Sequence, residues 1–203
     1  MTDHPVGRIG PNAIIQTVTA LRERQGVAEA DRLLREWGLS RLVTDLPTDM
    51  VEEGEVTTLC ARVIGGLGRE EGLAVLERSG ELTAQYLLAN RIPGIARLLL
   101  PWLRDRVALR ALFRAIEGHS WTFAGTGAFS TDLATPSFTI QHCPVCRELR
   151  GAPVAMCGYY RATFERLIRR LVHPRAVIEE VKCEATGGDS CLFRVRLDER
   201  GRA

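Results

Sequence analysis

The chain has 203 residues, 45% of them hydrophobic, enough to bury one good core in one domain or one and a half. Its formal net charge of +2 is close to balance, which argues against a general nucleic-acid or acidic-substrate partner. The opening Met1-Thr2-Asp3-His4-Pro5 lacks the basic and apolar regions of a signal peptide, and the best apolar run, 95–103, is too short for a membrane span and contains Arg97 and Pro101. These features predict a cytoplasmic protein, in which six cysteines are metal ligands or buried thiols rather than disulfides. Lys182 is the only lysine, so the basic character is almost wholly arginine.

Residues 1–10 read as a loose tail. Ile14, Ile15, Val18 and Leu21 have helical spacing and predict a helix over 11–25, with Gly26 as its stop. A second short helix is expected over 27–37, stopped at Gly38, followed by a mixed stretch over 39–55 that reads as a loop or lid. Helices are then predicted over 56–64, 70–90 and 92–117, with breaks at Gly65-Gly66, Gly80, Pro93 and Pro101. Cys60 lies on an apolar helical stripe and reads as core packing. The apolar content of 86–103 predicts a segment that is deeply buried or lines a ligand cavity. Gly66-x-Gly68-x-x-x-Gly72 has the look of a nucleotide loop, but Arg69-Glu70-Glu71 is acidic where pyrophosphate would approach and no βαβ alternation surrounds it. It reads as a helix–helix connection.

After Gly118 the character changes. Trp121-Thr122-Phe123-Ala124 and Ser137-Phe138-Thr139-Ile140 read as strands, separated by a loop over 125–136. An amphipathic helix is expected over 153–172, with Cys157, Tyr160, Phe164, Ile168 and Leu171 on one stripe and Arg161, Glu165, Arg166, Arg169 and Arg170 facing out. The alternating flanks 177–183 and 191–197 form a terminal hairpin. A three-residue loop Thr186-Gly187-Gly188 would pair Ala185 with Asp189 and bring Cys183 opposite Cys191; a two-residue loop would separate them. Packing of the helix on the hairpin would bring Cys157 within reach, and three thiolates with a carboxylate make a closed zinc site. The expected class is α+β, with an N-terminal helical region (1–117) packed on a C-terminal region (118–203) of antiparallel sheet, crossing helix and hairpin.

Cys157-Gly158-Tyr159, the Phe164 helix and Glu180-x-x-Cys183-x7-Cys191-x-Phe193 resemble the 4-vinyl reductase domain family, over about 138–197. In sensor proteins of that family, such as phenol-responsive transcription activators, the corresponding residues hold a structural zinc. The resemblance implies the same for Cys157, Glu180, Cys183 and Cys191. It, rather than spacing, selects Glu180 over Glu179 or Glu184; Glu180 and Cys183 have opposite strand parity, which a β-bulge between them would reconcile. The resemblance also implies a fold like that of haem-based nitric-oxide sensors and vesicle-tethering subunits, with an apolar cavity between helices and sheet.

A stand-alone chain of this length, without an ATPase or DNA-binding domain, looks most like the family's bacteriochlorophyll-biosynthesis member. That implies an accessory protein binding a magnesium tetrapyrrole in an apolar cavity, holding or delivering it to other pathway enzymes, and able to form a homodimer. The alternatives are reduction of the 8-vinyl group of a chlorophyllide precursor and a small-molecule sensor module. No dinucleotide or flavin motif supports catalysis.

For the pigment, His119 could ligate magnesium among Trp121 and Phe123, and Arg166 and Arg170 could clamp propionates. His142 and His173 are weaker candidates, and His4 lies in the tail. His142-Cys143-Pro144-Val145-Cys146 is a CxxC knuckle. It can complete a four-cysteine site with Cys183 and Cys191, form a redox-labile pair, or be a turn with cysteines in the core. Here it is expected to lie outside the primary site.

Overall fold

A computed structural model describes residues 7–197; His4 lies outside them. A short strand β1 (Arg8–Ile9) pairs antiparallel with β2 (Val51–Glu52), Ile9 opposite Val51. Between them run α1 (Asn12–Gln25), α2 (Val27–Glu36) and the single turn α3 (Arg41–Thr44). Ile14, Val18 and Leu21 are wholly buried, the stripe expected of α1, and Gly26 ends it at φ +80°, where a side chain would be strained.

The central pair is α4 (Glu53–Leu67) and α5 (Arg69–Asn90), joined at Gly68. The glycine cluster is thus a helix–helix connection. Neither Gly65-Gly66 nor Gly80 breaks a helix, as the composition suggested; Gly66 and Gly80 serve close packing instead. A Cβ on Gly66 would sit 2.4 Å from the Trp37 ring, and one on Gly80 would sit 2.2 Å from the Tyr159 carbonyl oxygen. α5 therefore lies directly on the later helix that carries Tyr159. Thr163 Oγ1 donates to Gly80 O at 3.1 Å and Thr83 Oγ1 lies 3.1 Å from Tyr159 OH, so the polar groups of this contact are paired.

Then follow α6 (Gly94–Leu99), a 3-10 turn over Leu100–Trp102, α7 (Asp105–Glu117) and α8 (Trp121–Ala124). Pro93 and Pro101 do divide this stretch as expected. Its burial does not follow the expectation: Ile95, Leu98, Leu99 and Trp102 are exposed, Trp102 to 84%. The segment is also not a strand at 121–124. Ala124 N donates to Ser120 O at 2.8 Å and Thr122 Oγ1 to His119 O at 2.7 Å, closing a helical turn between Gly118 and Gly125 that the β-propensity of Trp, Thr and Phe conceals.

The first strand of the main sheet is instead β3 (Ala128–Asp132), inside the expected loop. It is an edge strand whose residues alternate only between exposed and half-buried, so its hydrophobic signal is weak. With β4 (Ser137–Gln141), β5 (Val177–Lys182) and β6 (Cys191–Arg196) it forms a four-stranded antiparallel sheet in the order β3-β4-β6-β5. Helix α9 (Gly158–Leu171) crosses between β4 and β5. Its buried stripe meets an aromatic cluster: Phe164 lies 4.2 Å from Phe138, which stacks on Phe193 at 4.6 Å, while Phe123 and Phe129 close the near side. The molecule is α+β, and no helix of the described residues is long and apolar enough to cross a membrane.

Candidate metal centre

Beyond the aromatic cluster, at the end of the sheet, five cysteines meet. Cys191 opens β6, paired with Ile140 of β4. Two residues past Ile140 the chain leaves β4 through His142, which adopts φ 52°, and turns Cys143 and Cys146 inward. The knuckle is closed by Arg147 N donating to Cys143 O at 3.1 Å and is pinned to α4 by Thr57 Oγ1 donating to Pro144 O at 2.7 Å. Cys157 caps α9, with its side chain at the helix start rather than within the stripe. Cys183 follows β5 and leads into a 3-10 turn, Glu184–Thr186, closed at Gly187 with φ +92°.

That turn differs from the hairpin loop expected, and Cys183 is not laddered opposite Cys191. The ladder ends at Lys182 opposite Leu192, after a register shift between Glu180 and Lys182. This is the bulge that the parity of Glu180 and Cys183 requires, and it sends both side chains to the same place. Cys183 and Cys191 still come to 4.0 Å at Sγ.

The remaining sulfur contacts are Cys143 to Cys157 at 3.3 Å, Cys146 to Cys191 at 3.4 Å, Cys157 to Cys191 at 3.4 Å and Cys183 to Cys146 at 4.0 Å. All five thiols are buried. Two four-donor groups have their ligand atoms within 4.8 Å of one another: Cys143, Cys146, Cys157 and Cys191; and Cys157, Glu180, Cys183 and Cys191. The expectation that Cys143 and Cys146 stand apart is therefore corrected. What hid them is strand order: only when β4 is known to pair with β6 does the knuckle fall beside Cys191. Cys60 is buried on α4, its thiol pushed up to about 12 by burial first and Cys143 second.

The polar atoms here fit a cation. Glu180 Oε2 accepts from Cys157 N at 3.0 Å, but Oε1 is buried and has no partner. Burial, then the charge on Cys183, pushes the Glu180 carboxyl up to about 9. Burial likewise raises the Cys143 and Cys157 thiols, while hydrogen bonds from Cys146, Cys157 and Cys191 lower Cys183. Backbone N–H groups of Met156 and Glu184 point at the sulfurs of Cys183 and Cys191 at 3.5 Å, an arrangement suited to thiolate acceptors. A zinc ion would be held by Cys157, Glu180, Cys183 and Cys191 and would supply the missing charge for the Glu180 carboxylate.

Behind the centre lies a buried carboxylate that the sequence did not flag. Glu53, at the start of α4, takes Arg147 Nη1 at 2.7 Å, Thr126 N at 2.8 Å and Thr126 Oγ1 at 2.6 Å. Burial opposes its ionisation, yet the bonds from Arg147 and Thr126 hold it below the usual carboxylate range. It ties the knuckle to the helical half.

The residues expected to hold a tetrapyrrole are more dispersed. His119 and Trp121 are exposed at the junction of α7 and α8, whereas Phe123 packs at 5.3 Å on Phe129 and 6.0 Å on Phe164. Arg166 and Arg170 lie on the exposed face of α9, away from the rings that Tyr160 and Phe164 meet. The other basic residues of α9 are engaged: Arg161 with Glu77, and Arg169 with Glu165 at 2.9 Å. His142 is exposed, and His173 is buried with Nδ1 accepting from Arg175 N at 3.3 Å, a structural role.

The profile of the 4-vinyl reductase domain matches residues 136–197, the span of β4, the knuckle, α9 and the hairpin. The bacteriochlorophyll synthase 23 kDa chain of Cereibacter sphaeroides is 38% identical over 93% of this chain and 90% of its own. That of Rhodobacter capsulatus is 37% identical over 92% of this chain and 85% of its own. In fold, an H-NOX structure solved to probe haem distortion superposes with a TM-score of 0.59, covering 94% of this chain and 96% of its own at 14% identity. The phenol-responsive sensory domain of the transcription activator PoxR, with phenol, does so at 0.53, covering 75% and 77% at 13% identity. The chain belongs to the 4-vinyl reductase domain family, together with the bacteriochlorophyll synthase 23 kDa chains.

Proposed function

We propose that this chain is an accessory protein of bacteriochlorophyll biosynthesis. It binds a magnesium tetrapyrrole and holds or delivers it to pathway enzymes, its C-terminal region braced by a structural zinc at Cys157, Glu180, Cys183 and Cys191. The observation that carries this reading is the similarity, over nearly the whole chain, to two proteins named for bacteriochlorophyll synthesis. Two features of the structure support it. Ile95, Leu98, Leu99, Trp102, Leu103 and Val107 expose a run of large apolar side chains, unusual for a surface without a partner. The His119 ring, exposed, has Nδ1 at 2.8 Å from Ala115 O. A carbonyl only accepts, so Nδ1 carries the hydrogen and Nε2 keeps its lone pair, the tautomer that a magnesium axial ligand needs.

Trp121, 59% exposed, offers a flat surface beside that histidine, and Arg166 and Arg170 offer guanidinium groups for carboxylates. A macrocycle burying several hundred Å² gains several kcal/mol at ~25 cal/mol per Å², less the entropy of association. Micromolar binding is the expected result. The test is a pair of titrations of wild type and His119→Ala, one with a magnesium porphyrin and one with the metal-free porphyrin. The account predicts a Soret shift with both pigments in wild type and a loss confined to the magnesium pigment in the variant. Equal affinities in all four titrations would remove His119 from the site.

A further inference from the structure

We propose that the cysteine centre holds two zinc ions per chain, sharing the thiolates of Cys157 and Cys191. The proposal rests on the reading that this centre binds zinc, and extends it to the CxxC knuckle.

The donor count suggests it. Two tetrahedra that share an edge need six ligands, two bridging and four terminal, and six donors meet here. The two four-donor groups have Cys157 and Cys191 in common and nothing else. That leaves Cys143 and Cys146 as terminal ligands of one ion, and Cys183 and Glu180 as those of the other. A regular tetrahedron with ~2.3 Å zinc–sulfur bonds has edges of about 3.8 Å. The shared pair lies 3.4 Å apart, and each edge seen within a group falls between 3.3 and 4.0 Å. Cys146 and Cys183, at 4.0 Å, belong to different ions and must move apart when both are loaded.

A single ion explains less. At the Glu180 set it leaves Cys143 and Cys146 buried within contact distance of its ligands and unused. At the all-cysteine set it leaves the Glu180 Oε1 atom orphaned in the interior. Two ions use every donor. The Glu180 end also borders a cleft of about 400 Å³, flanked by Arg161 and Glu179, which gives an ion a route from solvent. The soft, thiolate-rich and buried donor set suits zinc or cadmium.

The full chain, purified under reducing conditions without chelator and supplied with zinc, is analysed by native mass spectrometry and elemental analysis. Two equivalents are expected, with Cys143→Ser plus Cys146→Ser and Glu180→Gln each falling to one. Cadmium-loaded protein should show two coupled cadmium resonances, since bridging sulfurs connect the ions. One equivalent at saturation in wild type overturns the second ion and leaves the zinc brace standing. No equivalent overturns both. Two equivalents retained in the Cys143/Cys146 double variant also overturn this assignment, as does acid-labile sulfide with a visible chromophore, which would mark an iron–sulfur centre.

Discussion

The helical half and the end of the sheet are both buried, yet they are held by different physics. Around Ile14, Val18, Leu21, Leu59 and Leu76 the interior is hydrocarbon, with its few polar groups paired, as Thr17 Oγ1 is with Ser79 Oγ at 2.8 Å. Such a core is stable by close packing alone and needs no ligand. At the end of the sheet the interior is sulfur and carboxylate, and one carboxylate oxygen has no partner. A buried polar group in that state is destabilising until something satisfies it. The first region is a scaffold, and the second is a site whose stability depends on what it binds.

The contrast can be broken most severely at the shared ligands. Cys157→Ser or Cys191→Ser should lose metal and solubility together, because structural zinc contributes folding free energy of about 10 kcal/mol or more in small metal-dependent folds. In the hydrocarbon core, Leu76→Ala should cost ~2–5 kcal/mol and leave the metal content per folded chain unchanged. Chemical denaturation paired with elemental analysis separates the two; a cysteine variant that keeps its metal would erase the distinction.

Gly80→Val comes next. The added Cβ would sit 2.2 Å from the Tyr159 carbonyl oxygen, a backbone atom that cannot step aside without moving α9. Overpacking of this kind costs ~1–3 kcal/mol or more, read from a denaturant midpoint. Equal stability would mean that α5 and α9 slide freely.

The Glu53 link between the two regions should give a smaller, pH-dependent effect. Its folded carboxyl lies below its ordinary 4.5, so it contributes stability above that value, and the contribution is lost as pH falls through the lowered folded value. Glu53→Gln should destabilise by ~1–3 kcal/mol at neutral pH, with the gap from wild type narrowing in acid. A gap that widens in acid would contradict the sign.

Much of this architecture is readable from the residues. Helical stripes such as Ile14-Val18-Leu21 mark their own buried faces, and the alternation around Cys191 marks a strand. What escapes is whatever tertiary pairing decides. Trp121-Thr122-Phe123-Ala124 has strand propensity, but glycines at either end and a capping hydroxyl fold it into a turn. The Glu180–Lys182 bulge leaves no mark in composition, although the parity conflict it resolves does. The Cys143–Cys146 knuckle could be placed only through strand order, and the apolar 95–103 stretch gives no hint that its leucines face outward.

The central claim is that the chain carries a tetrapyrrole and leaves its vinyl group unreduced. It is tested most directly by titrating the purified protein with a magnesium porphyrin or a protochlorophyllide-like pigment, with and without NADPH, while recording absorbance and fluorescence. The account predicts a Soret shift saturating in the micromolar range and unchanged pigment and NADPH thereafter. A flat titration at tens of micromolar pigment, or stoichiometric loss of the 8-vinyl group with NADPH as the only other addition, would contradict it.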